Sequence, residues 1–306
     1  MTTIDPSPLP LAEQPARAHR APLRPGHRFA LTLSCPNRSG IVHAVTSFLA
    51  EYDFNIEEHQ QFDDAWRKTL YLRTAFSGEA EATKESLTDA FAPIAAEFGM
   101  SFAIDDETPL RMLVMVSKLG HCLNDLIFRW RGASLGGELA VVVSNHETLR
   151  PMAEAAGLPF VHIPITADSK AEAEQRLLAT IAEYNIDLVV LARYMQVLSN
   201  ELCTTLAGRA INIHHSFLPG FKGARPYWQA YERGVKLVGA TAHYVTPELD
   251  EGPIIEQEVI RVDHSFDPRS LAAIGQDAEA LALSRAVRWH CEHRVLWGPS
   301  NTVVFR

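Results

Sequence analysis

Beyond Pro109 the chain repeats one pattern. A run of five or six mostly apolar residues is followed by a longer stretch that reads as a helix. The apolar runs are Met112–Ser117, Leu139–Ser144, Phe160–Ile165 and Leu188–Ala192. The helical stretches are Cys122–Arg131, Glu147–Ala156 and Lys170–Tyr184, and Ser169 with Glu172 predicts a capping box for the third. A strand that is apolar on both faces must be covered on both. A helical crossover then brings the next strand back parallel to it. The pattern therefore predicts an α/β fold with a mostly parallel, Rossmann-like sheet.

The preceding segment has another order. Arg28–Ser34 reads as a strand and Ile41–Tyr52 as an amphipathic helix. Asn55–Asp63 and Thr69–Phe76 predict an antiparallel hairpin, Ser86–Phe98 a second helix and Ser101–Ile104 a last strand. This is a split βαββαβ unit. The polar stretch Asp105–Pro109 marks the boundary. Residues 1–26 hold six of the eighteen prolines and predict a mobile leader. The expected domains are thus 1–26, 27–106 and 110–306, the number that 306 residues suggest once the leader is set aside.

Composition narrows the function classes. A net charge of −9 argues against general binding to nucleic acid or an anionic membrane. The longest apolar runs, such as Leu188–Ala192, fall far short of the roughly 18 residues a spanning helix requires. The N-terminus does not read as a secretory signal. Cys35, Cys122, Cys203 and Cys291 are scattered without metal or redox spacing, which suits reduced thiols in the cytoplasm. His290-Cys291-Glu292-His293 reads as a solvated face of a helix over Leu281–Leu296 rather than a metal site, and no metal is expected elsewhere.

The chemistry concentrates in 210–252. Ile211–His214 reads as a strand, so Asn212 and His214 project to the same side at its end. Gly239–Val245 is another strand, and the loop after it carries Glu248, Asp250 and Glu251. An amide and an imidazole can donate to the oxygen of an attacked carbonyl, and a carboxylate can orient the imidazole. The structural alternative is an Asn and a His that satisfy loop backbone groups, with Asp250 as a turn residue.

Three motifs carry a resemblance. Ile211-Asn212-Ile213-His214-x-Ser216-x-Leu218-Pro219, then Leu249-Asp250-x-Gly252-Pro253-Ile254, resembles the signature of the formyltransferase-fold family that uses 10-formyltetrahydrofolate. Upstream, Leu191–Ser199 is similar to its folate-pocket segment. The resemblance implies Asn212, His214 and Asp250 as the catalytic set and a pterin bound near Tyr194, Met195, Leu198 and Val245. His243, on the strand before the carboxylate loop, is a further candidate for the lining. The folate is then the substrate, and no cofactor is expected.

Within that family, members that formylate a ribonucleotide carry a glycine-rich turn after the first strand. Here the place reads Ser117-Lys118-Leu119-Gly120-His121-Cys122, a poor phosphate cradle. The usual His-Pro-Ser is replaced by His214-His215-Ser216. Gly223–Tyr227 and Gln229–Gly234 resemble the formyltetrahydrofolate deformylases, although Trp228 departs from their pattern. Cys35–Val42 resembles the entry of an ACT domain, with Asn37 where aspartate is usual. ACT domains pair, so a homo-oligomer is expected. They commonly bind amino acids near this turn, which makes Asn37, Arg38, Gly40 and Ile41 effector candidates. Methionine or glycine is the effector the resemblance implies. The alternative there is a helix-entry turn without a ligand.

The expected function is hydrolysis of 10-formyltetrahydrofolate to formate and tetrahydrofolate, balancing the one-carbon pool and supplying formate for purine synthesis. Two other readings use the same residues: formyl transfer to a small amine, or a non-catalytic regulator that binds folate or an amino acid.

Overall fold

The structure, a computed structural model, describes residues 27–78, 82–166, 168–219, 226–299 and 301–306. The leader expected over 1–26 lies outside the described residues, as does the 223–225 part of the loop motif.

The first unit follows the expected order. It comprises β1 (His27–Pro36), α1 (Ile41–Glu51), β2 (Asn55–Asp64), β3 (Thr69–Gly78), α2 (Lys84–Phe98) and β4 (Ser101–Asp106). The sheet is antiparallel in the order β2-β3-β1-β4. Both helices lie on one face. Val45, Phe48, Leu87 and Phe91 pack against Leu31, Leu33, Leu72 and Phe76. Thr83 and Ser86 close a capping box at the start of α2.

The second unit is β5 (Leu110–Val116), α3 (His121–Arg131), β6 (Gly137–Ser144), α4 (Arg150–Ala155), β7 (Phe160–His162), α5 (Lys170–Glu183), β8 (Leu188–Leu191), α6 (Asn200–Thr205) and β9 (Ala210–His214). It continues through α7 (Pro226–Glu232), β10 (Leu237–Tyr244), β11 (Ile254–Arg261) and α8 (Pro268–Cys291). The sheet order is β11-β10-β9-β8-β5-β6-β7. The pairings from β9 to β7 are parallel, and β10 and β11 join antiparallel. Alternation along β5 feeds two cores. Met112, Val114 and Val116 meet α3 and α8, whereas Leu113 and Met115 meet α5. The apolar runs are apolar on both faces because both faces are covered.

Three local expectations are corrected, and one strand is added. Ser169 does not cap α5, because its hydroxyl accepts from the backbone and hydroxyl of Thr166 instead. α8 begins at Pro268, capped by Asp267, well before Leu281. Its first half buries Leu271, Gly275, Ala278 and Glu279, of which only Leu271 is large and apolar, so the stripe shows little amphipathic contrast. β11 went unseen because its apolar residues are interrupted by charged ones at the sheet edge. His290 and Cys291 are not a solvated face. The Cys291 thiol packs on Met112, and His290 Nδ1 lies 2.8 Å from the Tyr244 hydroxyl.

The end of α8 joins the units. Arg73 of β3, 5% exposed, donates to the carbonyls of Glu292 (2.9 Å) and His293 (3.1 Å) and pairs with Glu58. Arg294 also grips Glu58 (2.9 Å), and His293 Nδ1 lies 3.2 Å from Asp105. A closing hairpin of β12 (Val295–Trp297) and β13 (Thr302–Val304) continues the joint, where Leu296 and Phe305 pack on Tyr71.

Candidate active site

Open α/β sheets bind ligands beyond the carboxyl ends of their parallel strands. Three segments converge there. β9 ends on Asn212 and His214, the segment after β8 supplies 193–198, and the β10–β11 connection supplies Asp250. His214 Nδ1 stands 3.2 Å from Asp250 Oδ1. His243 Nε2 is 3.2 Å from Asn212 Nδ2 and 3.8 Å from Asp250 Oδ1. The three groups of the expected catalytic set therefore face one another.

Backbone geometry explains how a loop carboxylate is placed so closely. Asp250 has φ of 59°, a left-handed conformation that few non-glycine residues adopt. The connection then folds back on β10, and the amide of Tyr244 donates to the carbonyl of Pro253 (3.0 Å). At Gly252 a Cβ would lie 1.7 Å from the carbonyl oxygen of Tyr244, so only glycine permits the return.

The electrostatics separate the roles. The hydrogen bond from His214 holds the Asp250 carboxyl below its usual range, so it is ionised at neutral pH. His214 Nε2 is buried and has no hydrogen-bond partner among the described residues. Burial holds His243 below its ordinary value. His215, its ring 4.9 Å from that of His214, is lowered to about 4 by burial and by the charge of Arg193. Both stay neutral.

A cavity of about 300 Å³ opens on these groups. Tyr194, Met195, Leu198, Val245 and His243 all line it, together with Asn212, His214 and Asp250. Burial raises the Tyr194 phenol to about 12, so it keeps its proton. Ser117, at the end of β5, accepts from the Met195 amide (3.0 Å) and donates to Asn145 (2.7 Å), which anchors the segment after β8. Its position just past an apolar strand was the available signal for this role. Arg193 and His215 also line the cavity, and the sequence offered no role for either.

The effector candidates lie elsewhere. Asn37, Arg38 and Gly40 are exposed at the entry to α1, whereas Ile41 is buried in the core of the first unit. Arg38 donates to the carbonyl of Glu97 (2.7 Å) and lies over Phe98. Among the described residues, His121, Cys122 and Glu279 bring possible metal-ligand atoms within 4.8 Å of one another. The Glu279 carboxylate, however, is already engaged by His121, Arg193 and Tyr227.

The doubly covered sheet with an Asn–His–Asp set at its carboxyl edge defines the class as a formyl transferase, and the formyl transferase family model matches residues 110–287. A formyltetrahydrofolate deformylase of Corynebacterium sp. (strain P-1) is 52% identical over 281 residues, 91% of this chain and 98% of that one. The crystal structure of a formyltetrahydrofolate deformylase from Burkholderia mallei, 50% identical, superimposes with a TM-score of 0.85 over 92% of this chain and all of that one. A glycinamide ribonucleotide transformylase from Symbiobacterium toebii, 30% identical, shares 65% of this chain and 95% of its own with a TM-score of 0.62. The chain belongs to the formyltetrahydrofolate deformylase family within the formyl transferases.

Proposed function

We infer that the protein hydrolyses 10-formyltetrahydrofolate to formate and tetrahydrofolate. The observation that carries the reading is the His214 ring. Its Nδ1 faces the ionised Asp250, its Nε2 has no partner among the described residues, and the side chain lines the cavity. With Nδ1–H donated to Asp250, Nε2 presents a lone pair that takes a proton from water as the water oxygen bonds to the formyl carbon. Asp250 stabilises the imidazolium that results. Asn212 Nδ2–H donates to the carbonyl oxygen as it becomes an oxyanion. The proton then passes to the folate nitrogen, the C–N bond breaks, and formate leaves. The pterin lies along Tyr194, Met195, Leu198 and Val245. In this reading the folate is the substrate and the three side chains supply the acid–base chemistry without a cofactor.

The test is formate release from 10-formyltetrahydrofolate by the purified protein in buffer without an amine acceptor. Steady release is expected. Turnover only when an amine is added would favour transfer instead, and folate binding without turnover under any acceptor would favour a regulator.

The first unit is read as an ACT domain that pairs into a homo-oligomer and binds methionine or glycine beside Asn37, Arg38, Gly40 and Ile41. Exposed polar groups at a helix entry support this, since free N–H groups there suit a carboxylate. Calorimetric titration of the full chain with each amino acid tests it, and heat from neither removes it. Four buried, unpaired cysteines support a cytoplasmic setting. Among the described residues, no helix is long and apolar enough to cross a membrane. The formate released would supply purine synthesis and balance the one-carbon pool.

A further inference from the structure

The hydrolysis reading leaves open what keeps amines from taking the formyl group. Transfer and hydrolysis can use the same three side chains, so the difference must lie in the space beside them. Behind His215 and Arg193, four elements meet at one carboxylate. Glu279 of α8, 1% exposed, accepts from the Tyr227 hydroxyl at 2.6 Å, lies 2.8 Å from His121 Nε2 and forms an ion pair with Arg193 Nε at 3.2 Å. The cationic and hydrogen-bonding partners outweigh burial and keep Glu279 ionised.

Tyr227 is wedged in this cluster. A Cβ at Gly275 would lie 2.0 Å from its hydroxyl oxygen, so the phenol rests directly on the backbone of α8. What remains between Tyr227 and His215 is a cavity of about 20 Å³, enough for a water molecule and too small for an amine substrate. The cluster abuts the first turn of α3, where Cys122 feels both Glu279 and Arg193. That turn follows β5, the place where a phosphate-bearing acceptor would need exposed N–H groups and positive potential. Tyr227 opposes such an acceptor by volume.

We propose that Tyr227, seated on Glu279 against α8, fills the space beside His215 that an amine acceptor would enter, and so restricts the acceptor of the formyl group to water. Tyr227 touches no reacting atom in this account and is a specificity-determining residue. The inference rests on the hydrolysis reading above.

The experiment measures how the formyl group partitions. Purified protein is given 10-formyltetrahydrofolate with saturating glycinamide, and formate and formylglycinamide are quantified together. In transfer, the amine nitrogen bonds to the formyl carbon, the folate C–N bond breaks, and the proton lost by the amine goes to the folate nitrogen. The unaltered protein is expected to yield formate alone. Tyr227→Ala and Tyr227→Val are expected to raise the transferred share on the order of 10- to 200-fold above background, the range that a pocket change of this size commands. Tyr227→Phe keeps the ring and should partition like the unaltered protein. Formylglycinamide from the unaltered protein alongside formate overturns the proposal. So does either enlarged variant, folded and releasing formate, that forms none. If the unaltered protein releases no formate, the hydrolysis reading itself fails, and that is seen before any variant is made.

Discussion

Asn212 and His243 fix each other's orientation. The backbone carbonyl of Tyr244 accepts from His243 Nδ1 (2.9 Å), so that nitrogen carries the proton and Nε2 holds a lone pair. Nε2 therefore accepts from Asn212 Nδ2 (3.2 Å), and the amide cannot turn over without losing a partner. The second Nδ2–H is left for the substrate oxygen. Replacing His243 by Ala should lower kcat by roughly 10- to 100-fold, the scale expected when an orienting partner is lost, with KM little changed. A change in KM alone would assign His243 to substrate binding.

Asp250→Asn keeps the shape of the loop but removes the charge that stabilises a protonated His214. His214→Ala removes the base. Each should reduce formate release by at least about 100-fold while the thermal melt stays near that of the unaltered protein. Near-normal rates in either variant would falsify the assignment.

Gly252→Ala introduces a methyl group into the carbonyl of Tyr244. Relief requires the connection to lift from β10, and Asp250 moves with it. Turnover should fall about as far as in Asp250→Asn, and stability should fall by roughly 1–3 kcal/mol. Measuring both separates this from a loss of charge, because Asp250→Asn spares stability.

Acid should destabilise the protein through its buried histidines. Burial and the charge of His293 hold His290 at about 4, and His215 is also at about 4, against about 6.5 in an unfolded chain. A lowered folded-state value means that the unfolded chain binds the proton more readily. Stability from these groups is complete above about pH 6.5 and is lost as pH falls toward 4, by up to about 2 kcal/mol each at pH 5. The melting temperature should therefore drop between pH 7 and pH 5. A flat or rising profile rejects the account.

Much of the fold is visible in the apolar runs, because strands covered on both faces cannot hide their composition. Asn212, His214 and Asp250 could be singled out because each sits in a short motif, at a strand end or a tight turn, that carries the family resemblance. Glu279 could not. It lies among alanines and leucines of α8, and nothing near it in sequence hints that Tyr227, His121 and Arg193 arrive from three other elements. The role of Arg73 was hidden for the same reason, since its partners Glu292 and His293 follow more than two hundred positions later. Local pattern reports what a segment does for itself, and such convergence emerges only when the chain is folded.

α8 carries Glu279 near its middle and ends where Arg73 takes hold of the carbonyls that follow it. At 24 residues it is a rod of about 36 Å. The grip on its far end comes from the sheet that the first hundred residues build, so detaching that sheet would fray the helix that holds the acceptor side of the cavity in shape. The two units thus meet through the end of one helix.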